Sequence, residues 1–181
     1  MEAGARANRE LLQRSRTRMR RPRAGTGFRA RVPAMELDLL RRVTEELIPF
    51  NKFLGVRVTH MERGRVELTI PFREELVGDP MKPALHGGVI SMLADTAGGM
   101  AVWSSLDNPA QRVSTIDLRV DYLRPGRLED LAAEAIVVRV GRSVGVADVR
   151  LYHPAARGEI IATGKGVYAI KTPHRATPLK Q

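Results

Sequence analysis

Pro83-Ala84-Leu85-His86-Gly87-Gly88-Val89-Ile90-Ser91-Met92-Leu93-Ala94-Asp95-Thr96-Ala97-Gly98-Gly99-Met100-Ala101 is the most informative run of the chain. From His86 to about Ser105 the residues are mainly Ala, Gly, Val, Ile, Leu and Met, and Asp95 alone carries a formal charge. A helix that is apolar nearly all round is a buried one. Asn108-Pro109 closes it.

The flanks of this run differ in kind. Upstream, Leu37, Leu40, Val43 and Leu47 recur at spacings of three, three and four, which predicts a helix from Met35 that Pro49 ends. Two short strands follow, Gly55–Met61 and Arg65–Phe72, joined by an Arg63-Gly64 turn. Residues 73–85 read as irregular, with Gly78, Pro80 and Pro83 as breakers. Downstream, Val113–Leu123, Leu131–Val140, Val144–His153 and Glu159–Lys171 are β-branched-rich runs separated by Pro125-Gly126, Gly141-Arg142 and Gly158. Helix, two strands, buried helix, four strands: this order predicts an α+β architecture, an antiparallel sheet curled around one central helix.

The chain has 181 residues, 43% hydrophobic, which suits one domain plus an extra segment. It has no cysteine, so disulfides, zinc-thiolate sites and cysteine nucleophiles are excluded. No apolar run approaches the roughly 20 residues of a membrane span, and a cytoplasmic protein is expected. The net charge of +10 is concentrated at one end: residues 1–34 hold ten Arg and two Glu, or +8 of it. That head lacks apolar periodicity and a secretory h-region. It reads as a disordered basic tail, an import segment, or sequence ahead of a true start at Met35. The expected organisation is an Arg-rich extension over 1–34, one domain over 35–172 and a tail over 173–181.

Chemistry enters with Asp95. A carboxylate within a buried, uncharged helix costs several kcal/mol unless it is paired, hydrogen-bonded or protonated. Either it bonds to a neighbouring backbone group or Arg, or it is a tuned general base or nucleophile. At the start of the helix, Gly87 and Gly88 leave main-chain N–H groups open to close approach, at a terminus that favours developing negative charge. That is how an oxyanion site is built from backbone. Eight residues separate Gly87 from Asp95, about 12 Å along a helix. One carbonyl cannot reach both groups on the same helix. If both act on one substrate, Asp95 comes from a second copy, with antiparallel central helices around a two-fold axis.

Leu85-His86-Gly87-Gly88 with Leu93-Ala94-Asp95-Thr96-Ala97, followed by Ser114-Thr115-Ile116-Asp117-Leu118-Arg119-Val120-Asp121-Tyr122-Leu123-Arg124-Pro125, resembles the PaaI-type (phenylacetic-acid-degradation type) thioesterases of the hotdog superfamily. The resemblance covers about residues 45–171. It implies a curled antiparallel sheet around a central helix, homodimers often paired into homotetramers, and acyl-CoA hydrolysis without metal or organic cofactor. By that resemblance Asp95 is the nucleophile or general base, and the Gly87 N–H polarises the thioester carbonyl. Thr115 matches the hydroxyl beside the attacking water. Gly88 and the Gly141-Arg142-Ser143 turn match the substrate side, the turn lying along the CoA arm. His86 is expected in the site, in a supporting role at the helix entry. One position departs from the pattern: several members have Asn six residues before the motif His, where this chain has Pro80.

Other readings find less support. A hotdog hydratase or dehydratase would need a His–acid pair arranged beside a carbonyl. For an acyl-CoA-sensing module with a DNA-binding head, 34 residues without helical periodicity are too few to form a helix-turn-helix, so nucleic acid is not an expected partner. His60, His153 and His174 are scattered without metal-ligand spacing, and no Gly-x-Ser-x-Gly elbow is present. One or two of Arg112, Arg119, Arg124, Arg127 and Arg142 are expected to meet CoA phosphates. Trp103 and Met100 are expected in the core or an interface. Aromatic, medium-chain and hydroxylated acyl groups all stay open.

Overall fold

The computed structural model describes residues 34–172 apart from Pro80 and Pro109. The extension expected over 1–34 (Ala34 excepted), the tail over 173–181, His174 and the Pro80 position lie outside the described residues.

Helix α1 (Ala34–Arg42) runs into a π-helical turn, Val43–Leu47. Pro49 then opens a second helix, α2 (Pro49–Leu54), instead of ending the first. A proline suits the first helical position, where its missing N–H has no intrahelical partner to lose. Gly55 closes α2 in the left-handed region, with φ 71°. Strands β1 (Arg57–Glu62) and β2 (Arg65–Ile70) form the first hairpin. The segment expected to be irregular holds a 3-10 turn, Glu74–Leu76, and two short paired strands, β3 (Val77–Asp79) and β4 (Ala84–Leu85). The long central helix α3 spans Gly87–Ser104. After it come β5 (Arg112–Tyr122), β6 (Leu131–Val140), β7 (Val144–Tyr152), a 3-10 turn at Pro154–Ala156, and β8 (Ile160–Lys171).

The main sheet has the order β1-β2-β6-β7-β8-β5, with every pair antiparallel. It wraps α3, as the hotdog arrangement requires. Alternation decides which face is inside: Val66, Leu68 and Ile70 of β2 are fully buried, while Arg65, Glu67 and Thr69 face out. Ala133 and Ala135 of β6 and Val149 and Leu151 of β7 complete the wall. The helix answers with Ile90, Leu93, Ala94, Ala97 and Ala101. Small side chains on both surfaces let helix and sheet approach closely. Burying each Leu or Ile contributes about 1.5–3 kcal/mol. Met100 is buried in this core and Trp103 packs against it.

Polar ties set the ends of the elements. Buried Ser104 donates to the Ala101 carbonyl (2.8 Å), lies within reach of the Glu62 carbonyl (3.2 Å) and accepts from Gly64 N–H (3.0 Å). It therefore holds the β1–β2 turn against the end of α3. Buried His153 accepts from Arg127 N–H (2.9 Å), so in the neutral ring its other nitrogen donates to the Asp130 carbonyl (2.9 Å). That fixes the β5–β6 connection. On the outer face, Glu134 takes hydrogen bonds from Arg65 and Arg150.

β5 is an edge strand of 11 residues, most of them exposed, Ile116 and Tyr122 among them. A long, open edge is a ready template for pairing with another chain. Among the described residues, no helix is long and apolar enough to cross a membrane.

Candidate active site

The start of α3 is built by His86. Its backbone takes extended angles (φ −64°, ψ 129°) and its Nδ1 accepts from Gly88 N–H at 2.9 Å, a side-chain cap on an orphan helix donor. The His86 N–H donates to the Leu76 carbonyl at 2.8 Å, which ties the helix entry to the 3-10 turn. Gly78 makes this possible: a Cβ there would lie 2.6 Å from His86 Cα. Val89 and Ile90 N–H groups turn back to the His86 carbonyl at 2.9 and 3.4 Å. With Gly88 spent on the cap, the Gly87 N–H has no partner among the described residues. Unfilled amides at a helix N-terminus suit an anionic oxygen.

Two turns along, Asp95 lies half-buried on the side of α3 that faces β5. Exposed Thr115 of β5 donates from Oγ1 to Asp95 Oδ1 at 2.8 Å. The Asp95 main-chain carbonyl accepts from Tyr168 Oη at 3.1 Å. Burial, and then the nearby Asp95 charge, push the Tyr168 phenol well above the ordinary tyrosine range, so it stays a protonated donor. The carboxylate therefore has one oxygen held by a hydroxyl and a main chain fixed from the sheet. No arginine pairs with it among the described residues.

Gly87, Ser91 and Asp95 recur every four residues and share one helix face. Tyr122 Oη, near the end of β5, and Ser91 Oγ stand 2.9 and 3.1 Å from the Gly87 carbonyl and 2.5 Å from each other. The structure thus pairs Asp95 with Thr115, and groups Gly87 with His86, Gly88, Ser91 and Tyr122. It does not bring these two groups together within one chain. The Gly141-Arg142-Ser143 turn sits elsewhere again: the Ser143 carbonyl accepts from Ile170 N–H at 2.8 Å, and Ile170 pairs with Val113, two residues before Thr115. That places the turn by the C-terminal end of α3, where Val102 packs under Gly145 just after the turn.

Sequence reasoning did not single out Ser91, Tyr122 or Tyr168 as site residues. The i, i+4 spacing of Ser91 with Gly87 and Asp95 was the available signal for the first. The two tyrosines act through main-chain carbonyls far away in sequence, and no spacing rule reports such contacts. Among the described residues, no group of three His, Cys, Asp or Glu is placed to hold a metal ion.

Comparison with known proteins identifies the family. The sequence profile of the Thioesterase superfamily matches residues 83–159, which takes in α3 and most of the strands after it. The medium/long-chain acyl-CoA thioesterase YigI of Escherichia coli strain K12 is 40% identical over 118 residues, 59% of this chain and 76% of that one. A solved structure from Shewanella oneidensis, related to the thioesterase superfamily, is 31% identical with TM-score 0.69, covering 76% of this chain and 97% of that one. The E. coli PaaI protein from the phenylacetic acid degradation operon shares the fold at TM-score 0.65 and 24% identity, over 75% of this chain and 93% of that one. The chain belongs to the thioesterase superfamily, and it is a thioesterase with the hotdog fold of the PaaI type.

Proposed function

We propose that the chain hydrolyses the thioester of an acyl-CoA with a medium-chain or aromatic acyl group, releasing free acid and CoA, at a site shared by two copies. Asp95, its carboxylate oriented by the Thr115 hydroxyl, either takes a proton from the water that attacks the thioester carbonyl carbon or attacks that carbon itself to give an acyl-enzyme anhydride that water then hydrolyses. In both routes the C–S bond breaks and CoA leaves as a thiolate that takes up a proton. The carbonyl oxygen gains negative charge in either case, and the Gly87 N–H of the partner subunit donates to it. Gly88 and the Gly141-Arg142-Ser143 turn flank the substrate, Arg142 toward the CoA phosphates, and His86 shapes the donor turn through its cap. Neither a metal nor an organic cofactor enters the scheme. The likeness to a relative named for medium and long acyl chains favours an aliphatic substrate.

The observation that carries this reading is the pairing of Thr115 with Asp95 on the helix face that also bears the open Gly87 N–H, about 12 Å away. A carbonyl lies near both groups only if a second chain brings the missing half. The exposed edge of β5 beside that face gives the second chain a place to dock.

The test is release of free CoA, followed with a thiol reagent, across saturated acyl-CoAs of increasing length and benzoyl-CoA. The chain has no thiol of its own. Hydrolysis by the parent, with at least a hundredfold loss in a folded Asp95→Ala variant, is expected. Binding without cleavage, or full activity in Asp95→Ala, overturns the reading.

A further inference from the structure

Two consecutive glycines at the first turn of a helix are a poor way to aim a hydrogen-bond donor, because glycine has the widest backbone freedom of any residue. In this chain the slack is taken up from outside the helix. Tyr122 Oη stands 2.9 Å and Ser91 Oγ 3.1 Å from the Gly87 carbonyl, and the two hydroxyls stand 2.5 Å apart. They carry two protons for three contacts. Whichever hydroxyl donates to the other, the second donates to Gly87, so the pair works as one unit. The phenol ring also lies against the Gly87 Cα: a Cβ there would touch Oη, Cε1 and Cζ at 3.4–3.5 Å.

The same peptide unit is held at its other end, since its N–H belongs to Gly88 and is taken by His86 Nδ1. Carbonyl and amide of the Gly87–Gly88 peptide are thus both pinned. What stays unpaired among the described residues is the neighbouring Gly87 N–H, the donor invoked above. We infer that Tyr122, acting with Ser91, is a positioning residue for the thioester reaction: it locks the Gly87–Gly88 peptide so that the Gly87 N–H keeps its aim. The inference rests on the reading of Gly87 as donor to the thioester oxygen. It assigns Tyr122 no contact with the substrate.

A structural explanation of the contact makes a different forecast. Within one chain Tyr122 is 52% exposed, so its hydroxyl adds little to the core, and any part it plays in holding two chains together would show as a lower unfolding temperature. Its effect on rate is therefore the discriminating readout. Misaiming a main-chain donor costs transition-state stabilisation and leaves ground-state binding largely alone.

The experiment measures kcat and KM of the full chain on decanoyl-CoA for Tyr122→Phe, Ser91→Ala and the double variant, with Asp95→Ala alongside. The expected result is a loss in kcat of about tenfold or more, with KM within about twofold and thermal unfolding unmoved. The double variant should be no worse than the poorer single one, because the hydroxyls act together. Parental kcat in Tyr122→Phe overturns the inference. So does a loss confined to KM, which would make Tyr122 a substrate contact, or a loss that tracks a fall in unfolding temperature. If Asp95→Ala stays active, the shared-site reading itself fails. If Asp95→Ala is inactive and Tyr122→Phe is parental, the positioning role alone is lost.

Discussion

Tyr168 of β8 occupies the space that a side chain on Gly98 of α3 would fill, and from there it donates to the Asp95 carbonyl. A Cβ on Gly98 would fall far inside contact distance of the phenol oxygen, and Gly166 on the sheet side gives the same clearance. The ring is thus threaded between helix and sheet at the turn that carries the proposed catalytic carboxylate.

This arrangement predicts that Gly98→Ala destabilises the fold by about 1–3 kcal/mol, the usual range for overpacking a full core. Tyr168→Phe should cost about 1 kcal/mol through the lost hydrogen bond. The two changes should not add, because the oxygen that the new methyl group would strike is the atom Tyr168→Phe removes. Chemical denaturation of both single variants and the double is the check. A double variant as poor as the sum of the singles rules out the threading as the cause.

Thr115 presents one hydroxyl to Asp95 from an exposed position on β5. Thr115→Val keeps the shape and removes the donor, so kcat for acyl-CoA hydrolysis should fall about tenfold or more. Thr115→Ser keeps the donor and should retain most of the rate. Equal loss in both variants would point to packing of the γ-methyl rather than to the hydroxyl.

How far the sequence carried the fold depends on where each residue's partner lies. The bounds of α3 were legible because composition changes abruptly at His86 and again near Asn108, and the later strands were legible because Gly and Pro punctuate them. The π-helical turn at Val43–Leu47 and the helix Pro49–Leu54 were not, because Pro49 reads equally as a stop or as a first helical residue. Within the site, Asp95 stood out as a lone charge in an apolar run. Tyr122 stands 35 residues from Gly87, and Tyr168 stands 73 from Asp95, each bonded to a main-chain carbonyl. A carbonyl has no residue identity, so contacts of this kind leave no mark on the sequence.

Glu134 gives the sheet's outer face a definite pH response. Its side chain is 7% exposed and accepts from Arg65 at 2.9 and 2.6 Å and from Arg150 at 2.7 Å. Burial alone would push its carboxyl up, but the hydrogen bonds and charges of the two arginines outweigh it, and the group is held below the ordinary value of 4.5. A carboxyl depressed on folding stabilises the protein above its unfolded pKa and loses that contribution as pH falls through the folded one. Glu134→Gln should therefore cost about 1–3 kcal/mol at neutral pH. The gap from the parent should close as pH drops below 4.5. Urea midpoints measured from pH 7 down to pH 3 test this, and a gap constant across that range would refute it.

The proposed dimer makes a prediction that needs no activity at all. If Gly87 of one chain faces Asp95 of the partner subunit on antiparallel helices, the residue midway between them faces its own copy. That residue is Ser91, on the same helix face as both. The two-fold axis then passes beside Ser91 and the Tyr122 hydroxyl bonded to it. Because the chain contains no cysteine, Ser91→Cys introduces a single thiol. A short bis-maleimide should convert that variant to a covalent dimer on a denaturing gel. Thr59→Cys, exposed on β1 at the opposite edge of the sheet, should stay monomeric under the same treatment. A Ser91→Cys chain that is dimeric in solution but fails to cross-link through its new thiol would have its helices in another register, and Asp95 and Gly87 would then have to serve separate roles.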